Sequence, residues 1–144
     1  MNDVTFSRAQ TYTLDSTVGT NTLSIEGADL KVTNGNHVIN SNVLLQTSSP
    51  IINSSRVNIA AGKQLTINGV LSGDDEMSML GNGTLTLTNT NTWTGRLTIL
   101  RGKVILSGGN NRLQTGFGAE INTAGTLEID GITQTAGALL GGDG

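Results

Sequence analysis

Residues 80–108 read LGNGTLTLTNTNTWTGRLTILRGKVILSG, and the reading of this stretch decides the fold. It holds three short runs in which apolar and polar residues alternate: Leu85/Leu87, Leu97/Ile99 and Val104/Leu106. Between them lie turns of Gly, Asn and Thr. Period-two alternation gives a strand with one apolar face, and such a strand needs a partner of the same shape to cover that face.

The rest of the chain supplies copies. Leu23-x-Ile25 is followed by Leu30-x-Val32, Val57-x-Ile59 by Leu65-x-Ile67, and Met77-x-Met79 by Leu85-x-Leu87. Leu97-x-Ile99 is followed by Val104-x-Leu106, and Ala119-x-Ile121 by Leu127-x-Ile129. First members at Val57, Met77, Leu97 and Ala119 set a repeat of roughly 20 residues, the signature of a solenoid. A weaker unit fits Val38 with Val43/Leu45. No helical periodicity separates the runs, and the leucine-rich-repeat signature is missing. The expected fold is therefore all-β, a right-handed parallel β-helix of roughly six to seven coils with strands about 4.8 Å apart. Residues 1–20, with Val4, Phe6, Tyr12, Leu14 and Val18, read as an irregular lead-in rung or cap, and 21–144 as a single domain of repeats.

The corners agree with this reading. Each second strand is preceded by a glycine (Gly62, Gly83, Gly102, Gly125) and followed by a polar residue with Gly or Asn: Asn68-Gly69, Thr88-Asn89, Ser107-Gly108, Asp130-Gly131. Gly and Asn tolerate the left-handed backbone of a sharp corner, and stacked Asn and Thr can hydrogen-bond along the rod. The register also predicts that Leu85 and Leu87 lie inside, between Leu65/Ile67 and Val104/Leu106. It further predicts a charge ladder, with Arg56, Glu76 and Arg96 stacked on one outer position.

Composition fits stacked strands. The 144 residues include 20 Gly, one Pro and no Cys, with 35% hydrophobic, 3% aromatic and 13% charged residues. That excludes a disulfide framework, a thiolate metal site and a typical helical enzyme core. Eight Lys and Arg are scattered through a chain of net charge −3, so no basic stripe exists for nucleic acid. No apolar run is long enough for a membrane-spanning helix, so no membrane insertion is expected, and the first residues carry no signal-peptide pattern.

On these residues the chain resembles the passenger-associated repeat of bacterial autotransporters. The matches are Gly81, Gly83, Thr84, Leu85, Leu87, Asn91, Thr92, Gly95, Thr98, Ile99 and Gly102. Trp93 stands where the family usually has Tyr, Val104 where it has Leu, and Arg96 where it has a small residue. Gln64–Gly73 and Ala124–Gly144 are similar to flanking coils of the same family, and Gly27–Ile39 to an earlier coil, so the resemblance covers roughly residues 22–144. It implies a secreted or cell-surface β-helical stalk, anchored to the outer membrane through a part not present here. Enzymes of that family carry their active sites in inserted domains, and none is visible in this sequence.

No residue is assigned as catalytic, cofactor-binding or metal-binding. His37, the only histidine, could pair in principle with Asp29 and Ser41, but no nucleophile elbow or oxyanion motif accompanies it, and it reads as a polar turn residue. Asp74-Asp75-Glu76 is the one acidic cluster. Three adjacent carboxylates alternate in direction along a strand, whereas calcium needs six to eight oxygens, so the cluster reads as a solvated corner. Trp93, Tyr12, Phe6 and Phe117 could stack on sugars but are too dispersed for a stripe, and read as packing residues. Asn53-Ser54-Ser55 and Asn82-Gly83-Thr84 match the glycosylation sequon without further support.

The function expected is a non-catalytic scaffold for adhesion or self-association. Its partners would be itself, end-to-end or side-by-side, or host and cell-surface components. The alternative is a filament subunit assembled by end-to-end stacking, since open β-helix ends expose strand edges that pair with other chains. Leu139, Leu140 and the closing Gly-Gly-Asp-Gly lack the charges and proline that normally protect such an edge. A polysaccharide-active β-helix enzyme is the third possibility.

Overall fold

The computed structural model describes residues 3–16, 21–46 and 54–142. Val18 of the lead-in, Asn53 of the first sequon and the last two residues lie outside these. The described chain is all-β, and no helix occurs among the described residues.

Strands stack in parallel on three faces. The first face carries β1 (Val4–Phe6), β4 (Asp29–Val32), β7 (Ser54–Ile59) and β10 (Glu76–Met79). It continues with the early parts of β12 (Leu97–Leu106) and β13 (Gly118–Ile129) and ends with β14 (Ala138–Gly142). The second face carries β2 (Thr13–Leu14), β5 (Asn36–Ile39), β8 (Gln64–Ile67) and β11 (Thr84–Leu87), then the later parts of β12 and β13. The third face carries β3 (Thr22–Glu26), β6 (Asn42–Gln46) and β9 (Leu71–Gly73). Seven strands on the first face make six full turns, within the coil number expected from the repeats.

The interior is a set of columns, each filled by one residue per turn. Leu65, Leu85, Val104 and Leu127 face one another in sequence, as do Ile67, Leu87, Leu106 and Ile129. Leu85 and Leu87 are completely buried, where the repeat places them. Burying a Leu or Ile contributes about 1.5–3 kcal/mol, so stability grows column by column as turns are added.

The turn length departs from 20 in the first half. Val4 faces Leu30 and Leu30 faces Val57, turns of 26 and 27 residues. Val57 then faces Met79, a turn of 22, while Met77 faces Leu97, a turn of 20. The charge ladder fails for this reason. Arg56 faces Ser78 and Glu76 faces Ser54, so Arg56 and Glu76 sit two positions apart along the strands. Each charge finds another partner: Arg56 Nε lies 2.6 Å from Asp29, Arg96 pairs with Glu120, and Glu76 accepts from the Thr98 hydroxyl at 2.8 Å. Arg96, which precedes Leu97, does lie beside Glu76, so the 20-residue register holds for that half of the ladder.

Side chains hold the corners. After the second face, Asn40 Nδ2 donates to Asp15, Asn68 Nδ2 donates to Asn40 Oδ1 (2.8 Å), and the Thr88 hydroxyl donates to Asn68 Oδ1 (2.8 Å). This is the polar ladder the corner residues predict. Gly102, between the two halves of β12, has φ +72°, and a Cβ there would lie 2.3 Å from the Gly81 carbonyl oxygen, so only glycine fits.

From the fourth turn onward the third face has no regular strand, and side-chain amides take over its ladder. Leu71 N–H donates to Asn91 Oδ1 (2.7 Å), and Asn91 Nδ2 donates to Arg112 O (2.8 Å). One turn later, Leu113 N–H donates to Gln134 Oε1 (2.9 Å) and Gln134 Nε2 donates back to Leu113 O (3.0 Å). A carboxamide has the donor and acceptor of a peptide group, so it can substitute for one rung of the ladder and leave no buried backbone group orphaned.

Candidate functional site

His37 is not the turn residue expected from the sequence. It lies on β5 facing Leu65, in an inward column, and is buried. Its ring is stacked with Phe6 (centroids 4.8 Å apart) and with Tyr12 (5.5 Å). Tyr12 N–H donates to Nδ1 (3.0 Å), and Nε2 lies 2.7 Å from Asn34 O. Both nitrogens therefore serve the backbone, with Nδ1 accepting from Tyr12 and Nε2 facing Asn34 O. Asp29 is engaged with Lys31 and Arg56, so the structure brings no carboxylate of a triad to His37.

The acidic cluster is only partly a solvated corner. Asp74 is exposed and Glu76 half-buried, but Asp75 is 2% exposed. Oδ2 of Asp75 accepts from the Ser55 hydroxyl (2.8 Å), its backbone carbonyl accepts from Trp93 Nε1–H (2.7 Å), and Oδ1 has no partner among the described residues. Ser55 and Trp93 are both 1% exposed, so the cluster is enclosed within the rod. Gly95 completes the cluster: a Cβ there would stand 2.0 Å from the Asp75 carbonyl oxygen and 2.4 Å from Trp93 Nε1. The signal for the inward Asp75 lies in the sequence. Met77 and Met79 point inward, and the same period of two, taken one step back, reaches Asp75.

The aromatics pack rather than form a surface stripe. Phe6, Trp93 and Phe117 are buried, and only Tyr12 is exposed. Asn82 of the second sequon is exposed. No group of three His, Asp or Glu is placed to hold a metal among the described residues.

Two features of the outer surface are relevant among the described residues. One is an ion-pair chain over the first three turns: Asp3 to Lys31 (2.6 Å), Lys31 to Asp29 (3.2 Å), and Asp29 to Arg56 (2.6 Å). The hydrogen bond from Lys31, supported by the Asp29 N–H, holds the Asp3 carboxyl below its ordinary range, and Asp3 in turn raises Lys31. The other is a groove of about 400 Å³ lined by Leu80, Leu100, Arg101, Asn122, Thr123 and Ala124. It lies where β13 carries a bulge against β12, with the register shifting between Ile99 and Arg101. Bulges of this kind re-aim side chains at the edge of a sheet.

With the geometry described, the chain can be compared with known proteins. No family model matches it, and no solved structure matches it. It is 32% identical over 146 residues to the adhesin BmaC autotransporter of Brucella suis biovar 1 (strain 1330). The match takes in 94% of this chain and 4% of the length of that protein. Fold and relative agree on a passenger-type β-solenoid. The passenger resemblance carried by Gly81–Gly102 is thereby supported from outside the motif, since the similarity extends over nearly the whole chain. The residues that build the passenger-type rod are structural ones: the inward columns, the corner ladder and the amide bridges.

Proposed function

We propose that this chain is a rigid segment of a cell-surface adhesion protein, displayed outside the cell and working without catalysis. The observation that carries this reading is the 32% identity to an autotransporter adhesin across a chain whose every described strand belongs to one solenoid. Six turns at about 4.8 Å each give a rod of roughly 30 Å, stiffened by parallel ladders on its faces. The rod spaces and presents contact surface. Many of its outward positions are short polar residues, and several of its surface charges are paired, which suits broad, weak, repeated contacts better than a deep pocket. Ser55 and His37, the two side chains closest in kind to catalytic groups, are enclosed and hydrogen-bonded within the rod. Anchoring to an outer membrane would come from another part of the protein.

The test is display of residues 1–144 on a non-adherent bacterium through an unrelated membrane anchor. Attachment to cultured animal cells, or clumping of the displaying bacteria, should exceed that of the anchor alone. Neither effect, with the segment shown to be folded at the surface, would overturn the adhesive reading.

A further inference from the structure

The sequence contains three Asn-Gly pairs, Asn34-Gly35, Asn68-Gly69 and Asn82-Gly83, each in the turn between two strands. Such a pair can react with itself. The glycine nitrogen attacks the asparagine side-chain amide, and glycine leaves that nitrogen unhindered because it has no Cβ. The reaction needs the nitrogen beside Cγ, so it depends on how each turn holds the two groups.

The three turns hold them differently. At Asn68 both ends of the amide are occupied, since Nδ2 donates to Asn40 Oδ1 (2.8 Å) and Oδ1 accepts from the Thr88 hydroxyl (2.8 Å). At Asn82 the nitrogen is occupied, since Gly83 N–H donates to Ile59 O (2.8 Å) one turn back. Asn34 differs from both. Gly35 N–H donates to the Oδ1 of Asn34 itself (2.9 Å), which lays the nitrogen against the amide it would attack. His37 Nε2 faces Asn34 O (2.7 Å), so the same peptide group is held at its oxygen as well. The backbone packs closely here: a Cβ on Gly35 would stand 2.4 Å from Arg8 O. Asn34 is half-buried and keeps part of its surface in solvent. Asn89 makes the same contact with Thr90 N–H (2.8 Å), but its Nδ2 is held by Asn68 O (2.9 Å) and the β-branched threonine crowds the nitrogen.

We propose that Asn34 is a self-modifying site, which closes on Gly35 and reopens as aspartate or isoaspartate with water as the one co-reactant. Gly35 N loses its proton to solvent and bonds to Asn34 Cγ. The Cγ–Nδ2 bond breaks, and Nδ2 leaves with added protons as ammonia. Water then adds to one carbonyl carbon of the five-membered ring and breaks its bond to Gly35 N, which regains a proton. Opening at Cγ leaves aspartate. Opening at the main-chain carbon leaves isoaspartate, which carries the chain through Cβ and Cγ and turns the carbonyl facing His37 into a free carboxylate. The first two turns meet at this point, because His37 Nδ1 accepts from Tyr12 N–H and Val38 N–H donates to Tyr12 O. Conversion therefore adds a negative charge and loosens β5 from the turn before it. The proposal rests on this corner and not on the adhesive reading, so the two fail separately.

The test is peptide mapping by mass spectrometry of the folded protein aged at mildly alkaline pH, with the Asn34→Asp protein as the standard for the aspartate product. Asn34 should convert about tenfold faster than Asn68 and Asn82, or more, because only its nitrogen is already placed. In urea, where no amide is held, the three sites should react at similar rates. Converted protein, separated by anion exchange, should show faster amide exchange at Tyr12 and Val38 and unchanged exchange at Leu85. Asn68 or Asn82 converting as fast as Asn34 in the folded chain would overturn the proposal. So would a preference for Asn34 that persists undiminished in urea, or unchanged exchange at Tyr12 and Val38 after conversion.

Discussion

Replacing Asn91 by alanine tests whether a side-chain amide stands in for a strand. In the folded chain the Leu71 N–H has Asn91 Oδ1 as its acceptor at 2.7 Å, and Asn91 is 2% exposed. The alanine variant leaves that N–H buried and unpaired, which costs about 1–3 kcal/mol. Arg112 O loses Nδ2 but keeps the Asn91 backbone N–H at 2.9 Å, so it adds little. The net expectation is about 1–3 kcal/mol, against less than about 0.5 kcal/mol for Thr92→Ala at the exposed neighbouring position. Asn91→Asp should be worse than alanine, because its second oxygen faces the Arg112 carbonyl and the charge is buried. Urea unfolding measures the loss. Native-state amide exchange at Leu71 locates it, which matters because a solenoid can open locally without unfolding throughout. An Asn91→Ala protein within 0.5 kcal/mol of the parent, with Leu71 exchange unchanged, would refute the idea that the amide carries the ladder.

Three further outcomes are expected. Leu85→Asp should abolish the cooperative melt or aggregate the protein, since an unpaired carboxylate would enter a dry column, and an unchanged melting temperature would contradict the interior assignment. Gly95→Ala should displace the indole from the Asp75 carbonyl and change Trp93 fluorescence, whereas Gly131→Ala, with open space around it, should leave Trp93 as it is. The carboxyl of Asp3 should titrate below the ordinary value near pH 4, so its pairing with Lys31 stabilises fully above that value and fades as pH falls through the lowered one. Lys31, raised, contributes fully below its ordinary value of about 10.5 and loses this as pH rises through the higher one. Carboxyl NMR titration of Asp3 in the Lys31→Met variant should return to the ordinary range, and persistence of the lowered value would contradict the assigned cause.

The parts of the fold legible in the sequence are those where one physical rule acts alone. Inward columns from Leu65 to Leu127 follow from alternation, because a buried face tolerates no slip of one residue. Corners were legible because Gly83, Gly102 and Gly125 mark places where a Cβ would strike neighbouring backbone, and Gly62 one where the backbone is left-handed. The first two turns were not, because their 26 and 27 residues include stretches whose length is not set by any apolar period. The third turn is also longer than 20, at 22 residues, so counting back from Met77 in steps of 20 lands on Val57, while the chain pairs Val57 with Met79. His37 occupies a slot that later turns give to leucine or valine, and it is accepted there because Phe6 and Tyr12 flank its ring and two backbone groups take its nitrogens. Asn91 is legible as a match to the passenger repeat and Gln134 as part of a similar coil, but neither resemblance assigns them a bonding role. Their role depends on Leu71 and on Leu113, about 20 residues earlier in each case, and no local pattern reports such a pairing.

The central claim is a stack of parallel turns in this register, and the most direct measurement is the set of inter-strand backbone NOEs in the isotope-labelled protein. The account predicts the parallel-sheet NOE pattern linking Leu65 to Leu85 and Leu85 to Val104, with Val57 linked to Met79. Antiparallel NOEs between these segments, or Val57 linked to Met77 in their place, would contradict it.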